Sequence, residues 1–411
     1  MQAKLRLHAA PATFASLAVV VALAVVAVVV LGGGKAVAVQ QLSCGDTITT
    51  DVTLHHNLDN CPNNGIVIGA DNVTLDLNYH TIDGDGAPAS GCDPEAEFCD
   101  VGVLNRGHDG VAVVHGSVRQ FEVGVWGLNV AHNRLLGISL SRNAGSGLGF
   151  FRGTRSLVRN CSGSGSIRRD GGLGMFLVAS HRVRVLNNSF RNNGDLGIFV
   201  GLKGFESTHN RIKGNRILGN TAAGVVMEAA NRNRLRGNRV LRNGEGIFAT
   251  GNGNVIARNR VFGALGGSGI SFEGGHDNLI AHNVVVRAGR AGHGHRQSHT
   301  AGIRVGLIRE QMGNGPRAVD TVVRRNRVKR TRKDGLLVEA TAKHTLLNRN
   351  LARDAGDDGF GVDSRRTKLI RNRAVRNDDL GIDAVRGVTD GGGNVARHNG
   401  DPRQCTHIVC R

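Results

Sequence analysis

Four charged side chains in the second half of the chain have the residue types that sugar chemistry requires. Each follows a glycine that opens a short apolar stretch: Glu273, Arg304, Glu339 and Asp363. Two carboxyl groups can act as acid and base, or as acid and nucleophile, on a glycosidic bond. An arginine can pair with the carboxylate of an acidic sugar. We take these residues as candidate catalytic residues.

Another group of residues is predicted to contact a ligand: Phe199, Phe248, His293, His295 and Arg296. The phenylalanines stand two residues after their glycines, where a ring could stack on the face of a sugar. The histidines and the arginine lie in an insertion between Gly269 and Gly302, and a second insertion follows before Gly335. Long loops on a repetitive scaffold often carry function, because stacking does not need them.

A plainer interpretation stands beside each candidate. Acids and arginines on one face can simply neutralise each other and keep the surface soluble. The histidine-bearing insertion has no fixed fourth ligand, so a polar loop is the alternative to a transition-metal site there. We predict no metal site and no cofactor, with a calcium ion as the alternative.

A repeat positions these residues. Glycines that open a Gly-apolar-x-apolar stretch recur at Gly124, Gly147, Gly174, Gly197, Gly224, Gly246, Gly269, Gly302, Gly335, Gly359 and Gly381. An asparagine within a short apolar stretch precedes most of them, at Asn188, Asn215, Asn238, Asn259, Asn283, Asn326, Asn350 and Asn372. Side chains alternate within each stretch, and no helical period is sustained. Short strands, tight turns and stacked asparagines predict an all-β solenoid, a single-stranded parallel β-helix of about 12 coils.

A column of like charge follows the asparagines. Arginine comes directly after the asparagine at Arg216, Arg239, Arg260, Arg327 and Arg373. If the asparagines point inward, the arginines point outward and repel one another. An anionic polymer would relieve this repulsion, and so would acids of an adjacent sheet. The net charge of +19 favours an anionic partner, and a GC-rich genome that favours arginine is the alternative.

Particular segments carry a family resemblance: residues 75–84 (LDLNYHTIDG), the repeats, and residues 380–383 and 391–394 ahead of the last cysteines. In these the chain resembles the right-handed β-helix repeat proteins of bacteria, within the pectin-lyase-like group. The resemblance implies a right-handed parallel β-helix. Members include polysaccharide lyases, polygalacturonases, uronate epimerases, copper-site maturation proteins and proteins with no known role, so the fold does not choose the activity.

The N-terminus indicates export. A basic start precedes the uncharged stretch 14–31, and residues 36–38 (AVA) form an A-x-A cleavage pattern. We predict a signal peptide over residues 1–38, with an uncleaved membrane anchor as the alternative. The remaining segments are predicted to be a cap with the first coils, the β-helix and a disulfide-closed tail: 39–100, 101–395 and 396–411.

The cysteine spacing agrees with an extracellular or cell-envelope location. Local pairs bracket short segments near both ends, which suits disulfides of an exported protein. We predict three bonds, with Cys161 left over: Cys44 to Cys61, Cys92 to Cys99 and Cys405 to Cys410.

Together these features predict an exported protein that binds an acidic polysaccharide or cell-surface glycan. If it is an enzyme, it would be a polysaccharide lyase, a glycoside hydrolase or a uronate epimerase. The alternatives are a non-enzymatic structural solenoid of the surface or envelope and a metal-handling accessory protein. We expect a monomer that meets a membrane only through an uncleaved N-terminal segment. We expect no nucleic-acid partner, because aromatic residues that stack on bases are nearly absent.

Overall fold

The computed structural model describes residues 41–87, 99–167, 171–289, 300–307 and 317–411. Within these ranges, short parallel β-strands and turns build a solenoid of about 14 turns. This confirms the predicted all-β parallel β-helix, with slightly more coils than the repeat suggested. No helix in the described ranges has the length and apolar character needed to cross a bilayer. The segment predicted as a signal peptide lies outside these ranges, and the division into cap, β-helix and tail stays a prediction.

Three parallel sheets form the walls of the solenoid. Sheet 1 collects most of the glycine-led strands, and β30 (Ala318–Val319) pairs with the end of one of them. Its strands are β1 Asp46–Ile48, β4 Ile66–Ile68, β7 Val101–Arg106, β9 Val123–Leu128, β11 Ser146–Phe151, β14 Leu173–Val178, β17 Leu196–Val200, β20 Ala223–Met227, β23 Glu245–Thr250, β26 Ile270–His276, β29 Ile303–Val305, β33 Leu336–Val338, β36 Phe360–Val362 and β39 Ile382–Ala384.

Sheet 2 follows sheet 1 in each coil. Its strands are β2 Val52–Thr53, β5 Thr74–Asp76, β8 Ala112–Arg119, β10 Arg134–Ser141, β12 Leu157–Arg159, β15 Arg184–Leu186, β18 Arg211–Lys213, β21 Arg234–Arg236, β24 Val255–Ala257, β27 Leu279–Ala281, β31 Val322–Arg324, β34 Thr345–Asn348, β37 Thr367–Ile370 and β40 Thr389–Asp390. Most are short because a turn interrupts them before the chain enters the third wall.

Sheet 3 closes the coil. Strands β8 and β10 continue into it from sheet 2 and pair with strands of both walls. Its other strands are β3 Leu58–Cys61, β6 Thr81–Gly84, β13 Ser162–Ser164, β16 Ser189–Arg191, β19 Arg216–Leu218, β22 Arg239–Leu241, β25 Arg260–Phe262, β28 Val284–Val286, β32 Arg327–Lys329, β35 Leu351–Arg353, β38 Arg373–Val375 and β41 Val395–Arg397.

The interior is a stack of apolar columns. Along sheet 1, one inward column contains Ile198, Val225, Ile247, Ile270 and Ile303, which are Cα partners in successive strands. Each of these side chains is at most 1% exposed. The column confirms that residues one coil apart become lateral neighbours, because parallel strands in register bring equivalent positions within about 4.8 Å.

The predicted asparagine ladder is present at the corner between sheets 2 and 3. The amide oxygen of Asn238 accepts bonds from the backbone and side-chain nitrogens of Asn215, and its own amide nitrogen reaches Asn259. The same pattern runs from Asn188 to Asn394 across successive coils. The insertion after Asn283 does not break the ladder. Every rung therefore satisfies buried turn backbone at the same place in the coil.

Two further asparagine columns occupy the other corners. One contains Asn210, Asn233, Asn254 and Asn278, and another contains Asn193, Asn220 and Asn243. The sequence reasoning recognised only the first ladder. The signal was nevertheless there, because asparagines recur five residues apart within single coils, at 210, 215 and 220 and again at 233, 238 and 243.

The disulfides agree with the prediction in the described part of the chain. Cys44 bonds Cys61, and Cys405 bonds Cys410. Cys99 is disulfide-bonded, while its predicted partner, Cys92, lies outside the described residues. Cys161 is a free, buried thiol. Burial raises the pKa of this thiol to about 11, so it stays protonated and packs as a small apolar side chain.

Candidate functional site

The sheet 1 strands align three of the predicted site residues, Phe199, Phe248 and Arg304, in one line of successive Cα partners. We call this line the outer column. It consists of Leu104, Trp126, Gly149, Phe176, Phe199, Val226, Phe248, Ser271, Arg304, Leu337, Gly361 and Asp383. Its members up to Phe248 are apolar residues and one glycine, whereas Ser271, Arg304 and Asp383 bring polar and charged side chains into the later part.

The apolar half of the outer column packs on itself. Trp126 and Phe176 meet edge to face, with ring centroids 6.2 Å apart. The Phe176 ring lies over Gly149, where any side chain would collide with it. Phe199 is only 7% exposed, because it belongs to a satellite apolar cluster with Leu173 and other residues of neighbouring strands. This half therefore presents an aromatic surface with little freedom to rearrange.

The predicted ligand contacts divide into three groups. Phe199 is covered by its cluster, so the structure does not present its ring to solvent as the sequence suggested. Phe248 is partly exposed and stands at the boundary between the apolar and charged halves. His293, His295 and Arg296 lie outside the described residues, and their contact with a ligand stays a prediction.

Arg304 is the centre of the charged half. Its side chain is 8% exposed, and its Nη2 donates to Ser271 Oγ at 2.8 Å and to the carboxylate of Glu273. Its Nη1 lies 4.0 Å from Oε1 of Glu339, whose side chain is 5% exposed. The structure thus brings three of the four candidate catalytic residues together, with Glu273 and Glu339 around the buried guanidinium of Arg304.

The Arg304 guanidinium has unused hydrogen-bonding capacity. Its Nε and Nη1 have no hydrogen-bond acceptor among the described residues. An unsatisfied buried donor costs about 1–3 kcal/mol. In native proteins such a donor is therefore usually satisfied by a ligand atom, an ion or a water molecule. Because the donors are cationic, an anionic oxygen would suit them best.

Glu245 joins this cluster although the sequence reasoning missed it. It begins β23, directly before Gly246, and its side chain is half-buried. Burial raises the pKa of Glu245 to about 7; Arg304 opposes the rise and Glu273 adds to it. The position directly before each glycine could have pointed to Glu245. Earlier coils mostly have an apolar residue there, whereas later coils have acids at Glu245, Asp334 and Asp358.

Asp363, the fourth candidate, associates with a second acidic group. Carboxylate oxygens of Asp334, Asp357 and Asp358 lie within 4.8 Å of one another. Burial, together with the neighbouring Asp358, Asp357 and Asp363, raises the pKa of Asp334 to about 8. Asp334 and Asp358 accept backbone N–H bonds from the next coil, and Asp357 pairs with Lys333 Nζ at 3.0 Å. Through these contacts the second acidic group holds neighbouring coils together.

Short parallel strands that stack in register, coil upon coil, make this chain a right-handed parallel β-helix protein. Residues 99–290, less than half of the chain, match the family described as "Periplasmic copper-binding protein (NosD)". No curated protein matches the chain in sequence.

Among the solved structures that this chain is similar to are two alginate or mannuronan epimerases. The A-module of the Azotobacter vinelandii mannuronan C-5 epimerase AlgE6 has 11% identity and a TM-score of 0.55, covering 86% of this chain and 90% of that one. A mutant of the periplasmic alginate epimerase AlgG has 12% identity and a TM-score of 0.53, covering 81% of this chain and 79% of that one. At such identities the likeness shows the fold alone.

Proposed function

We propose that this chain is exported and binds an acidic polysaccharide on the outer column of sheet 1. The observation that carries the proposal is the change along one strip, from aromatic rings at Trp126, Phe176 and Phe248 to the guanidinium of Arg304. Rings can stack on pyranose faces, and the positive charge of the Arg304 guanidinium can attract a sugar carboxylate. The apolar N-terminal stretch and the periplasmic descriptions of the NosD family and AlgG support export.

We infer that the same cluster supports acid–base chemistry on the bound polymer. With a pKa of about 7, Glu245 is partly protonated at neutral pH and can donate a proton. Glu273 and Glu339 can serve as carboxylate bases beside it, while Arg304 neutralises a uronate carboxylate. Lyase, hydrolase and epimerase chemistry all use such a set, and the products distinguish them.

Binding and turnover can be tested together. Purified protein is titrated with polymannuronate, polygalacturonate and neutral dextran, and products are analysed for unsaturated ends, reducing ends and changed epimer ratio. We expect binding to an acidic polymer and none to dextran. Phe248→Ala should weaken binding about threefold to tenfold, because it removes one stacking ring. Glu339→Gln should abolish any turnover while leaving binding largely unchanged.

The matched control is Phe262→Ala. Phe262 is also partly buried and lies on sheet 3, where its ring packs against the Arg287 guanidinium at 5.5 Å. An equal loss of affinity in Phe262→Ala and Phe248→Ala would contradict a site on sheet 1. Failure of every acidic polymer to bind would leave a structural solenoid as the function.

A metal-handling accessory is the second candidate, because the matching family is described as copper-binding. Copper prefers imidazole and sulfur ligands, whereas carboxylates suit harder ions. In the described residues, the acidic and histidine or cysteine groups close enough to share an ion are Asp334, Asp357 and Asp358, which do not fit copper. Copper content after mild purification tests this candidate, and one bound ion per chain would favour it over the polysaccharide site.

A further inference from the structure

The corner between sheets 2 and 3 repeats one unusual backbone conformation. In each coil, the residue before the ladder asparagine has a positive φ. Glycine fills this position in two earlier coils, at Gly214 (φ 71°) and Gly237 (φ 66°). Later coils place larger residues there: Arg258, His282, Arg325, Arg349 and Arg371, with φ between 52° and 57°.

Arginine is a costly choice at this position. A residue with a Cβ in the left-handed region is disfavoured by about 1 kcal/mol relative to glycine. Glycine returns in the last coil at Gly393 (φ 70°), so the fold accepts glycine at both ends of the column. Arginines with positive φ also occur at the other corners, for example Arg142 and Arg242, so the argument for a site rests on how the side chains at this corner are arranged.

The turns present one of these side chains per coil. The backbone nitrogen of Arg325 donates to Asn348 O, that of Arg349 to Ile370 O, and that of Arg371 to Gly392 O, at 2.9 to 3.0 Å. The turns are therefore in register, and the exposed arginines stand about 4.8 Å apart along the axis. They line an open groove of about 590 Å³ together with His282, Arg327 and Arg373.

The groove includes part of the arginine column predicted from the sequence. Arg216, Arg239 and Arg260 stack in successive strands. Val284 and Leu351 interrupt the column beyond them, so Arg327 and Arg373 are separated. Arg325, Arg349 and Arg371, the arginines with positive φ, lie beside these gaps in the adjacent turn. Together with Arg327 and Arg373 they form a continuous cationic line.

This charge is not neutralised by the described part of the protein. No carboxylate in the described ranges lies within ion-pair distance of Arg325, Arg327, Arg349, Arg371 or Arg373. Partial burial lowers the pKa of His282, and Arg325 and Arg258 lower it further. Repelling cations held together in a concave surface attract a polyanion.

We propose that this groove, formed by His282, Arg325, Arg327, Arg349, Arg371 and Arg373, binds a linear acidic polysaccharide lying along the solenoid axis. One anionic group would meet each coil. The site is separate from the outer column of sheet 1 and binds through charge rather than through ring stacking. Its lining contains no phenylalanine, tyrosine or tryptophan, which disfavours nucleic acid, because single-strand binders stack bases on such side chains.

The test replaces the three left-handed arginines together, as Arg325→Gly, Arg349→Gly and Arg371→Gly. Glycine occupies the same position in other coils, so the fold should be retained, and thermal unfolding verifies it. Polymannuronate affinity is measured over a series of salt concentrations. We expect Kd to rise about tenfold at low salt. We also expect a shallower dependence of log Kd on log salt, because fewer counterions are released.

The matched control makes the same change at the corner between sheets 3 and 1. Arg142, Arg242 and Arg330 are exposed and have φ of 54°, 51° and 54°, and Gly219 and other glycines share their column. Replacing all three by glycine removes the same charge and should change Kd less than twofold. If this control weakens binding as much as the groove variant, net charge alone is responsible and the proposal is overturned.

Two other results would also overturn it. One is an unchanged Kd and salt dependence in the groove variant. The other is single-stranded DNA that binds more tightly than polymannuronate and loses affinity in the groove variant, which would make nucleic acid the partner. Failure of the sheet 1 site is separate, because it appears as an unchanged affinity in Phe248→Ala with the groove result intact.

Discussion

The two halves of the outer column share one backbone register and differ in how their side chains are satisfied. In the apolar half, Phe199 and its cluster bury one another, while Trp126 and Phe176 stay partly exposed. In the charged half, Arg304 is enclosed by carboxyl groups but keeps unused donors, and Glu245 has a pKa far from its ordinary range. The backbone register is the same in both halves, so the side chains alone decide which half is packed for stability and which could do chemistry. The charged half, with its unused donors and shifted pKa, is the better candidate for function.

The largest effect should come from removing the cation of the charged half. Arg304→Met removes the cation that contacts the carboxylates of Glu273 and Glu339 and should lower the free energy of unfolding by about 3 kcal/mol, measured by urea denaturation at pH 7. Adding Glu339→Gln should recover part of the loss. The exposed Arg211 of sheet 2 is the control, and Arg211→Met should change stability by less than about 0.5 kcal/mol. A loss below about 1 kcal/mol for Arg304→Met would show that the cluster is solvated.

A smaller loss is expected when the apolar half is opened. Phe199→Ala removes a buried ring from the satellite cluster and should cost about 2 kcal/mol, less than a central core phenylalanine, because several neighbours are partly exposed. Phe248→Ala, at the boundary, should cost less than half as much. Equal losses at the two positions would remove the distinction between a packed half and a site-forming half.

The smallest effect is a pH dependence confined to the charged half. The pKa of Glu245 is raised to about 7 in the folded protein, above the ordinary value of about 4.3. The folded state therefore holds this proton more tightly, and the associated stability is present below about pH 4 and lost as pH rises through 7. The full shift would correspond to about 3.7 kcal/mol, but the Glu245 side chain is partly accessible and solvent screening reduces this contribution. Glu245→Gln should therefore match the wild type at pH 4 and exceed its free energy of unfolding by about 1 kcal/mol at pH 8.

Urea denaturation between pH 4 and pH 8 measures this difference. Glu206→Gln, at an exposed position, should keep the wild-type slope. Asp334, with a pKa of about 8, should contribute in the same direction and extend the loss to higher pH. A Glu245→Gln variant with the wild-type slope would mean that the carboxyl group is hydrated.

Much of the architecture followed from spacing alone. Regular glycine and asparagine markers predicted the coil, the inward isoleucine column and the main asparagine ladder. In a solenoid, sequence period becomes lateral distance, so equivalent residues must meet once the strands are parallel. The same reasoning brought Glu273, Arg304 and Glu339 together correctly. The other two asparagine ladders were also accessible, through the spacing of five residues within a coil.

Other features depended on tertiary structure. Glu245 precedes its glycine, and the backbone around each glycine decides whether that residue faces the outer column. Phe199 has the alternation of an exposed residue, but packing against neighbouring coils buries it. The cationic groove arose from turn residues with positive φ, a conformation that residue type does not reveal for arginine. The amino-acid order thus determined which residues share a column, because the period is local. The fold decided which columns are covered, paired or open, because those properties depend on how neighbouring walls and turns pack.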